Sequence, residues 1–459
     1  MRLISSWCRH QCSGPPSAGS DQKGARGWTW RRLIPIRDET IAIHGGYDAD
    51  RTRAVAVPIY QTVAHEFTDA DHAAAVFDLA QPGFHYNRIN NPTVEVLEKR
   101  MAALEGGVGA VALASGMAAI RYAIRNITIA GRSVVTTPQL YGATYSLFAH
   151  LLPEEGVTVR FAPDDRPESI GALIDETTAA VFCESIGNPA GNIVDLPAVC
   201  DVAHAHGVPV VVDNTVATPM TLKPFEHGAD IVVHSLTKFV GGHGTTLGGM
   251  VVDSGRFPWA EHSERFPMLS RPEASFHGVI YTRDFADRPF IVRCRTVGLR
   301  NDGATLSPFN AFLLLQGLET LSVRLERQHA NTEAVARWLS EDSRVAWVSW
   351  SGFADHPHHA LGSSLLGGRY PSILTFGVVG GYEAGIRFFN AVDLFTRLVN
   401  MGDAKSIVSH PASTTHRQLT PAELDAARVT PDMIRLSLGI EHIDDILADL
   451  EQALRAANH

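Results

Sequence analysis

The sequence predicts an α/β protein: a large, mostly parallel sheet domain followed by a smaller C-terminal α/β domain. Three observations point there. From about residue 93, short apolar strand candidates alternate with helix-length stretches, the pattern of βαβ units. Polar, chemistry-bearing residues stand where several of those apolar runs end, the place where open α/β sheets bind ligands. After about residue 305 the pattern turns helical and closes on a final helix. The length, 459 residues, is enough for two domains and a large core.

Taken in order, Val94–Leu104 reads as an amphipathic helix led by Pro92, and Val108–Leu113 as a strand. A Ser115-Gly116-Met117 turn follows, opening a helix through Ile124. Ser133–Thr136, Val157–Phe161, Ala179–Glu184, Pro209–Asp213 and Ile231–His234 are further strands, with Leu196–His206 a helix among them. Helix is expected through Leu318-Glu319-Thr320 and again from Ile443 to Ala456. The expected organisation is an extension at 1–37, an arm at 38–92, a large domain at 93–305 and a small domain at 306–459.

Hydrophobic residues at 45% and charged residues at 19% fit a globular protein. A net charge of -10 leaves no basic surplus for phosphate backbones and argues against a nucleic-acid binder. No apolar run nears the roughly 20 residues of a membrane span. The five cysteines, Cys8, Cys12, Cys183, Cys200 and Cys294, are odd in number and thinly spread, which points to a reducing cytoplasm rather than a disulfide framework. Cys183 and Cys200 fall in apolar stretches and read as core residues. Cys8 and Cys12 lack a second pair at finger spacing, and His356, His358 and His359 read as a solvated loop, so no metal is assigned. Residues 1–37 carry seven Lys or Arg against one acid, Asp21, with no apolar signal region, and read as a disordered extension.

Three strand ends carry chemistry. The run Val210-Val211-Val212 ends on Asp213, a carboxylate that is costly to bury without a cation. A protonated pyridine nitrogen is one such cation; an Asp capping the next turn is, taken alone, the commoner case. The run Ile231–His234 leads through Ser235 and Thr237 to Lys238 and a glycine-rich stretch. Desolvation there favours the neutral amine that condenses with an aldehyde, and the two hydroxyls suit a phosphate. No Gly-Lys-Ser/Thr ending makes it a P-loop. The Ser115-Gly116-Met117 turn presents backbone N–H groups at a helix start, an anion site. Each signal is modest. Together they supply a phosphate cradle, a carboxylate for a ring nitrogen and a lysine for an aldehyde, the needs of pyridoxal 5'-phosphate.

The stretch HSLTKFVGGHGTTLGG at 234–249 resembles the lysine signature of the Cys/Met metabolism pyridoxal-phosphate enzymes, and within that family the O-acetylhomoserine sulfhydrylase group. HGGY (44–47), VPIYQT (57–62), YNRINNPT (86–93), ASGMAA (114–119), ESIGNP (184–189), LSPFNAFLLLQGLETL (306–321), GDAKSIVSHPASTTH (402–416) and IRLSLGIEHIDD (434–445) carry the same resemblance across residues 38–459. His65 departs from the aromatic of many relatives, and the basic extension has no counterpart. The resemblance implies the fold type I (aspartate aminotransferase-like) architecture. It implies Lys238 as the Schiff-base lysine and proton shuttle, Asp213 as the ring-nitrogen partner and Tyr141 stacked on the ring. Gly116, Met117, Ser235 and Thr237 would hold the phosphate, with Tyr86 and Arg88 reaching that of a neighbouring subunit. Asn188 and Arg435 would hold the substrate α-carboxylate, and Glu184 would play a supporting part. The implied reaction is replacement at Cγ of O-acetyl-L-homoserine by sulfide or a small thiol in methionine biosynthesis, by a homo-oligomer of at least two and as many as four subunits. Cystathionine γ-synthase or lyase chemistry and an O-succinyl substrate are the rivals. The GDAKS segment and the long insertion 256–285 resemble the sulfhydrylases.

Overall fold

The computed structural model describes residues 36–49, 52–189, 191–414, 417 and 429–458. The basic segment, with Cys8 and Cys12, lies outside the described residues, as do Thr415 and His416 of the GDAKS motif. Among the described residues, twelve strands form two sheets.

The apolar runs make the larger sheet: β1 Gly109–Leu113, β2 Ser133–Thr136, β3 Thr158–Phe161, β4 Thr178–Glu184, β5 Val210–Asp213, β6 Ile231–Ser235 and β7 Gly249–Asp253. Their order is β1-β7-β6-β5-β4-β2-β3. All neighbours are parallel except β7, which runs antiparallel between β1 and β6. β2 and β4 are buried along their whole length, which is why they read as continuous apolar runs. Side chains alternate between two cores. Val181, Val210, Val212 and Val232 pack on one face with Leu97, Met101 and Leu104 of the helix Pro92–Glu105. Ala180, Phe182, Val211, Val233 and Val251 pack on the other with Ala119, Ile120 and Ala123 of the helix Gly116–Arg125. The first of these helices starts as its sequence dictates: Pro92 sits in the first turn and the Asn91 side chain accepts from the Thr93 N–H at 2.9 Å.

The helices Pro308–Glu319 and Leu321–Ser340 lead to the second sheet, the first ending one residue before the expected Thr320, which caps it. The Thr320 hydroxyl bonds back to the Gly317 carbonyl at 3.2 Å. β8 Val345–Ser349, β9 Ile373–Val378, β10 Thr396–Arg397, β11 Ile407–Ser409 and β12 Met433–Ser437 lie in the order β10-β11-β12-β9-β8. The helix Ile443–Ala457 buries Ile446, Leu450 and Leu454 in a core with Phe376 and Phe388. Among the described residues no helix is long and apolar enough to cross a membrane.

Arg100 ties the N-terminal arm down. Its buried guanidinium donates to the carbonyls of Gly45 (2.8 Å) and Ala42 (3.0 Å) at the end of the helix Asp38–His44, and pairs with Glu319 at 3.1 Å. Arg100→Ala leaves those carbonyls without their donor. It is expected to lower stability by about 3 kcal/mol, from two charge-assisted bonds, read as a lower thermal unfolding midpoint. An unchanged midpoint would mean the arm docks without this residue.

Candidate active site

The carboxyl ends of β4, β5 and β6 lie side by side, and the two-residue period of a strand sorts their side chains. Glu184 and Asp213 are cross-strand partners, so they share a face, the one covered by the helix Gly116–Arg125. Ser185, Asn214 and His234 fall on the opposite face. There the His234 ring bonds Glu105 at 2.6 Å, the Asn214 amide donates to Glu105 at 3.1 Å, and Ser185 donates to the Asn214 side-chain oxygen at 2.9 Å.

Asp213 is held from the following turn. Its Oδ1 accepts from the Thr215 N–H at 3.0 Å and the Thr215 hydroxyl at 2.5 Å, and that hydroxyl accepts from the Ser235 N–H at 2.7 Å. Thr215 therefore fastens the end of β5 to the end of β6. Burial raises the Asp213 carboxyl above the usual range, and the two Thr215 bonds partly offset this.

The turn after β1 reaches the same place because β7, between β1 and β6, is antiparallel and begins where they end. A Cβ on Gly249 would meet the Ser115 carbonyl oxygen at 1.9 Å, and one on Gly116 would meet the Ser235 Cβ at 2.6 Å. Both glycines are thus required for the Ser115-Gly116 turn to cross β7 and touch Ser235. The Ser115 hydroxyl caps the helix by accepting from Ala118 N–H at 3.2 Å, and the first-turn amides of Gly116 and Met117 point out of the helix end. Thr237 is turned elsewhere: its hydroxyl accepts from the Gly248 N–H at 3.1 Å.

Lys238 sits on the turn after β6, at a cavity of about 630 Å³ lined with Thr237, Asn310 and Asn400. Its Nζ donates to Asn400 Oδ1 at 2.7 Å. Burial, then the Arg435 charge, lower its ammonium to about 8. The Asn400 carbonyl accepts from Arg435 Nη2 at 2.7 Å, and Arg435 Nη1 donates to Asn188 Oδ1 at 3.0 Å. Arg435 is buried, and among the described residues its Nε has no partner. A buried guanidinium with an unused donor is an anion site. Glu184 accepts from the Tyr141 N–H at 2.5 Å, with the Asn188 N–H facing the same carboxyl. A second cavity, of about 450 Å³ against β8, carries none of these groups.

One chain of contacts therefore joins Gly116, Ser235, Thr215 and Asp213, and another joins Lys238, Asn400, Arg435, Asn188, Glu184 and Tyr141. Tyr86 and Arg88 are not brought to Lys238. The Arg88 guanidinium lies 5.2 Å from the exposed Tyr86 ring and bonds the Arg300 carbonyl. Thr215 and Asn400 were missed as site residues. Thr215 was visible only as part of the run after Asp213, and Asn400 sits in a loop whose neighbour is set by the second sheet.

Residues 39–455 match the profile of the Cys/Met metabolism PLP-dependent enzyme family. The chain belongs to this family. It is 47% identical over 421 residues to a homocysteine synthase of Schizosaccharomyces pombe, covering 91% of this chain and 98% of that one. It is 47% identical over 422 residues to O-acetyl-L-homoserine sulfhydrylase 1 of Thermus thermophilus, covering 91% and 100%. A solved O-acetylhomoserine (thiol)-lyase of Campylobacter jejuni, carrying N'-pyridoxyl-lysine-5'-monophosphate, superposes with a TM-score of 0.88 at 40% identity, over 92% of this chain and 100% of that one. Fold type I thus holds for this pyridoxal-phosphate enzyme. Its own donor set fits the cofactor: a desolvated amine, a half-buried carboxyl with no contacting cation among the described residues, first-turn amides beside a serine, and a guanidinium with a free donor.

Proposed function

We propose that the enzyme replaces the acetate on Cγ of O-acetyl-L-homoserine with sulfide, or with a small thiol, giving L-homocysteine or L-methionine and acetate. The observation that carries this is the meeting of Lys238, Asp213 and Arg435 at one end of the sheet, in a chain nearly half identical to enzymes named for that reaction.

When bound, pyridoxal phosphate supplies an aldehyde for an amino group and an electron-withdrawing ring that stabilises negative charge next to Cα. The residues here would do the rest. The first-turn amides of Gly116 and Met117, with Ser235 and Thr237, would hold the phosphate, and Thr237 must give up its Gly248 bond to do so. Asp213 would keep a proton on the ring nitrogen, and Tyr141 would stack on the ring. Arg435 and Asn188 would grip the α-carboxylate and so aim the Cα–H bond. Lys238 Nζ, freed from the aldehyde, would take the Cα proton and redeliver it along the chain, a task suited to an amine near 8. Asn400 Oδ1 gives that amine a resting acceptor.

The assembly belongs to the same reading. Tyr86 and Arg88, which do not line the Lys238 cavity of their own chain, would serve the phosphate of a neighbouring subunit in a homodimer, with a tetramer as the full assembly. Val55, 97% exposed, and Val63, 66% exposed, give the 38–92 arm an apolar surface suited to a second copy. A large domain at 93–305 and a small one at 306–459 remain the proposed division, with Leu314, Leu318 and Leu325 of the second segment packed in the first sheet's core. The free thiols Cys183, Cys200 and Cys294 suit the cytoplasm.

The test is a product assay with O-acetyl-L-homoserine and either sulfide or L-cysteine. Homocysteine from sulfide, with little cystathionine from cysteine, supports the reading. Dominant cystathionine, or preference for the O-succinyl ester, moves the enzyme to a rival reaction of the family. A second expectation concerns loading. Only the neutral amine attacks the aldehyde, so cofactor uptake by cofactor-free enzyme should rise with pH and level off above about 8. Stopped-flow absorbance checks this, and a midpoint near that of a free lysine would contradict it.

A further inference from the structure

Glu184 carries only an unspecified supporting part in the reading so far, yet it touches both sides of the site. It ends β4 directly beside Asp213 on β5, on the same face, and is nearly fully buried. Its carboxyl accepts the N–H of Tyr141 at 2.5 Å and is faced by the N–H of Asn188, residues 43 and 4 positions away along the chain. Those two residues stand on separate turns, one after β2 and the other after β4. At the end of β4, one carboxyl reaches both.

We propose that Glu184 is a positioning residue, a single carboxyl that holds the Tyr141 turn and the Asn188 turn in register while leaving Asp213 as the anion of the site. This rests on the reading of Tyr141, Asn188 and Asp213 given above.

The charge balance follows from the surroundings. Two carboxyls on paired positions, one buried and one half-buried, do not both ionise easily. The charge facing Glu184 is that of Asp213. Asp213 faces His234 across the sheet and takes two hydrogen bonds from Thr215. Burial first, then the Asp213 charge, raise Glu184 well above the usual carboxyl range. Burial and the Asp213 charge thus favour the protonated form of Glu184, whose carbonyl oxygen still accepts an amide N–H. A ring nitrogen carrying a proton meets one full negative charge, on Asp213, and not two.

The experiment compares Glu184→Gln, Glu184→Asp and Glu184→Ala as holoenzymes. The readouts are pyridoxal-phosphate dissociation by dialysis, the visible band of the bound cofactor, and KM and kcat for O-acetyl-L-homoserine. Glutamine copies a protonated acid in shape and charge. It is expected to keep dissociation, band and KM within about threefold of the parent. Aspartate keeps the ionisable group but loses reach, and alanine loses both. Each is expected to raise the dissociation constant and KM about tenfold or more, with less change in kcat, as for one or two lost hydrogen bonds. A glutamine variant as weak as alanine would overturn the proposal, because charge would then be what matters. So would an alanine variant equal to the parent. If alanine does not fold, the glutamine–aspartate contrast decides alone. A visible band retained in every variant with no difference among them ends this inference and leaves Lys238 as the cofactor lysine.

Discussion

Lys238→Ala is expected to abolish turnover. The amine does two jobs in the proposed reaction. It bonds the cofactor's aldehyde between turnovers, and it carries protons among the substrate carbons during them. A positioned proton carrier alone is worth about 10²–10⁴-fold, so the loss of both roles is expected to cost roughly 10⁴-fold or more in kcat. The protein itself should survive. The substitution leaves Asn400 Oδ1 without its 2.7 Å donor, and the strand before it keeps its packing. One lost hydrogen bond costs about 1 kcal/mol, too little to unfold the chain. The covalent visible band should vanish and the cofactor should dialyse out faster, because only the phosphate, ring and Asp213 contacts remain. A small primary amine added to the variant should restore some turnover by supplying a base in the emptied space. Substantial turnover without added amine would remove Lys238 from its assigned place.

Much of this architecture was legible because fully buried parallel strands are written as uninterrupted apolar runs. Ser133–Thr136 and Ile231–His234 match β2 and β6 to within one residue. β5 starts at Val210 rather than Pro209, since proline has no N–H for the ladder. β7 was not read at all. Its Gly-Met-Val-Val-Asp sequence follows a glycine-rich loop and offers three apolar residues, too few to separate from a turn. Yet that strand brings the Ser115-Gly116 turn across to Ser235. The site showed the same division. Lys238, Asp213 and the Gly116 turn follow directly from strand ends, so local sequence located them. Asn400 is placed by contacts 162 positions away from Lys238, and Glu184 by its bond to the Tyr141 turn and its nearness to the Asn188 N–H, and neither relation has a local signature.

Asp213→Asn is expected to bind pyridoxal phosphate and to lose about 100-fold in kcat. The side-chain oxygen of asparagine still accepts both Thr215 bonds, so the tie between β5 and β6 persists and the fold holds. What changes is the atom left to face the ring nitrogen. A carboxylate favours a protonated nitrogen, whereas an amide has no charge with which to stabilise one. A charge-assisted hydrogen bond contributes about 1.5–3 kcal/mol, which converts to roughly 10- to 150-fold in rate. The loss should fall on kcat more than on KM, because the electron-poor ring is needed when charge develops at Cα, and Arg435 and Asn188 hold the substrate regardless. The substitution also removes the charge that helps to raise Glu184, so that carboxyl should ionise at lower pH in the variant. Wild-type turnover in Asp213→Asn would mean that the ring works without its proton, and the electron-sink role of Asp213 would fall.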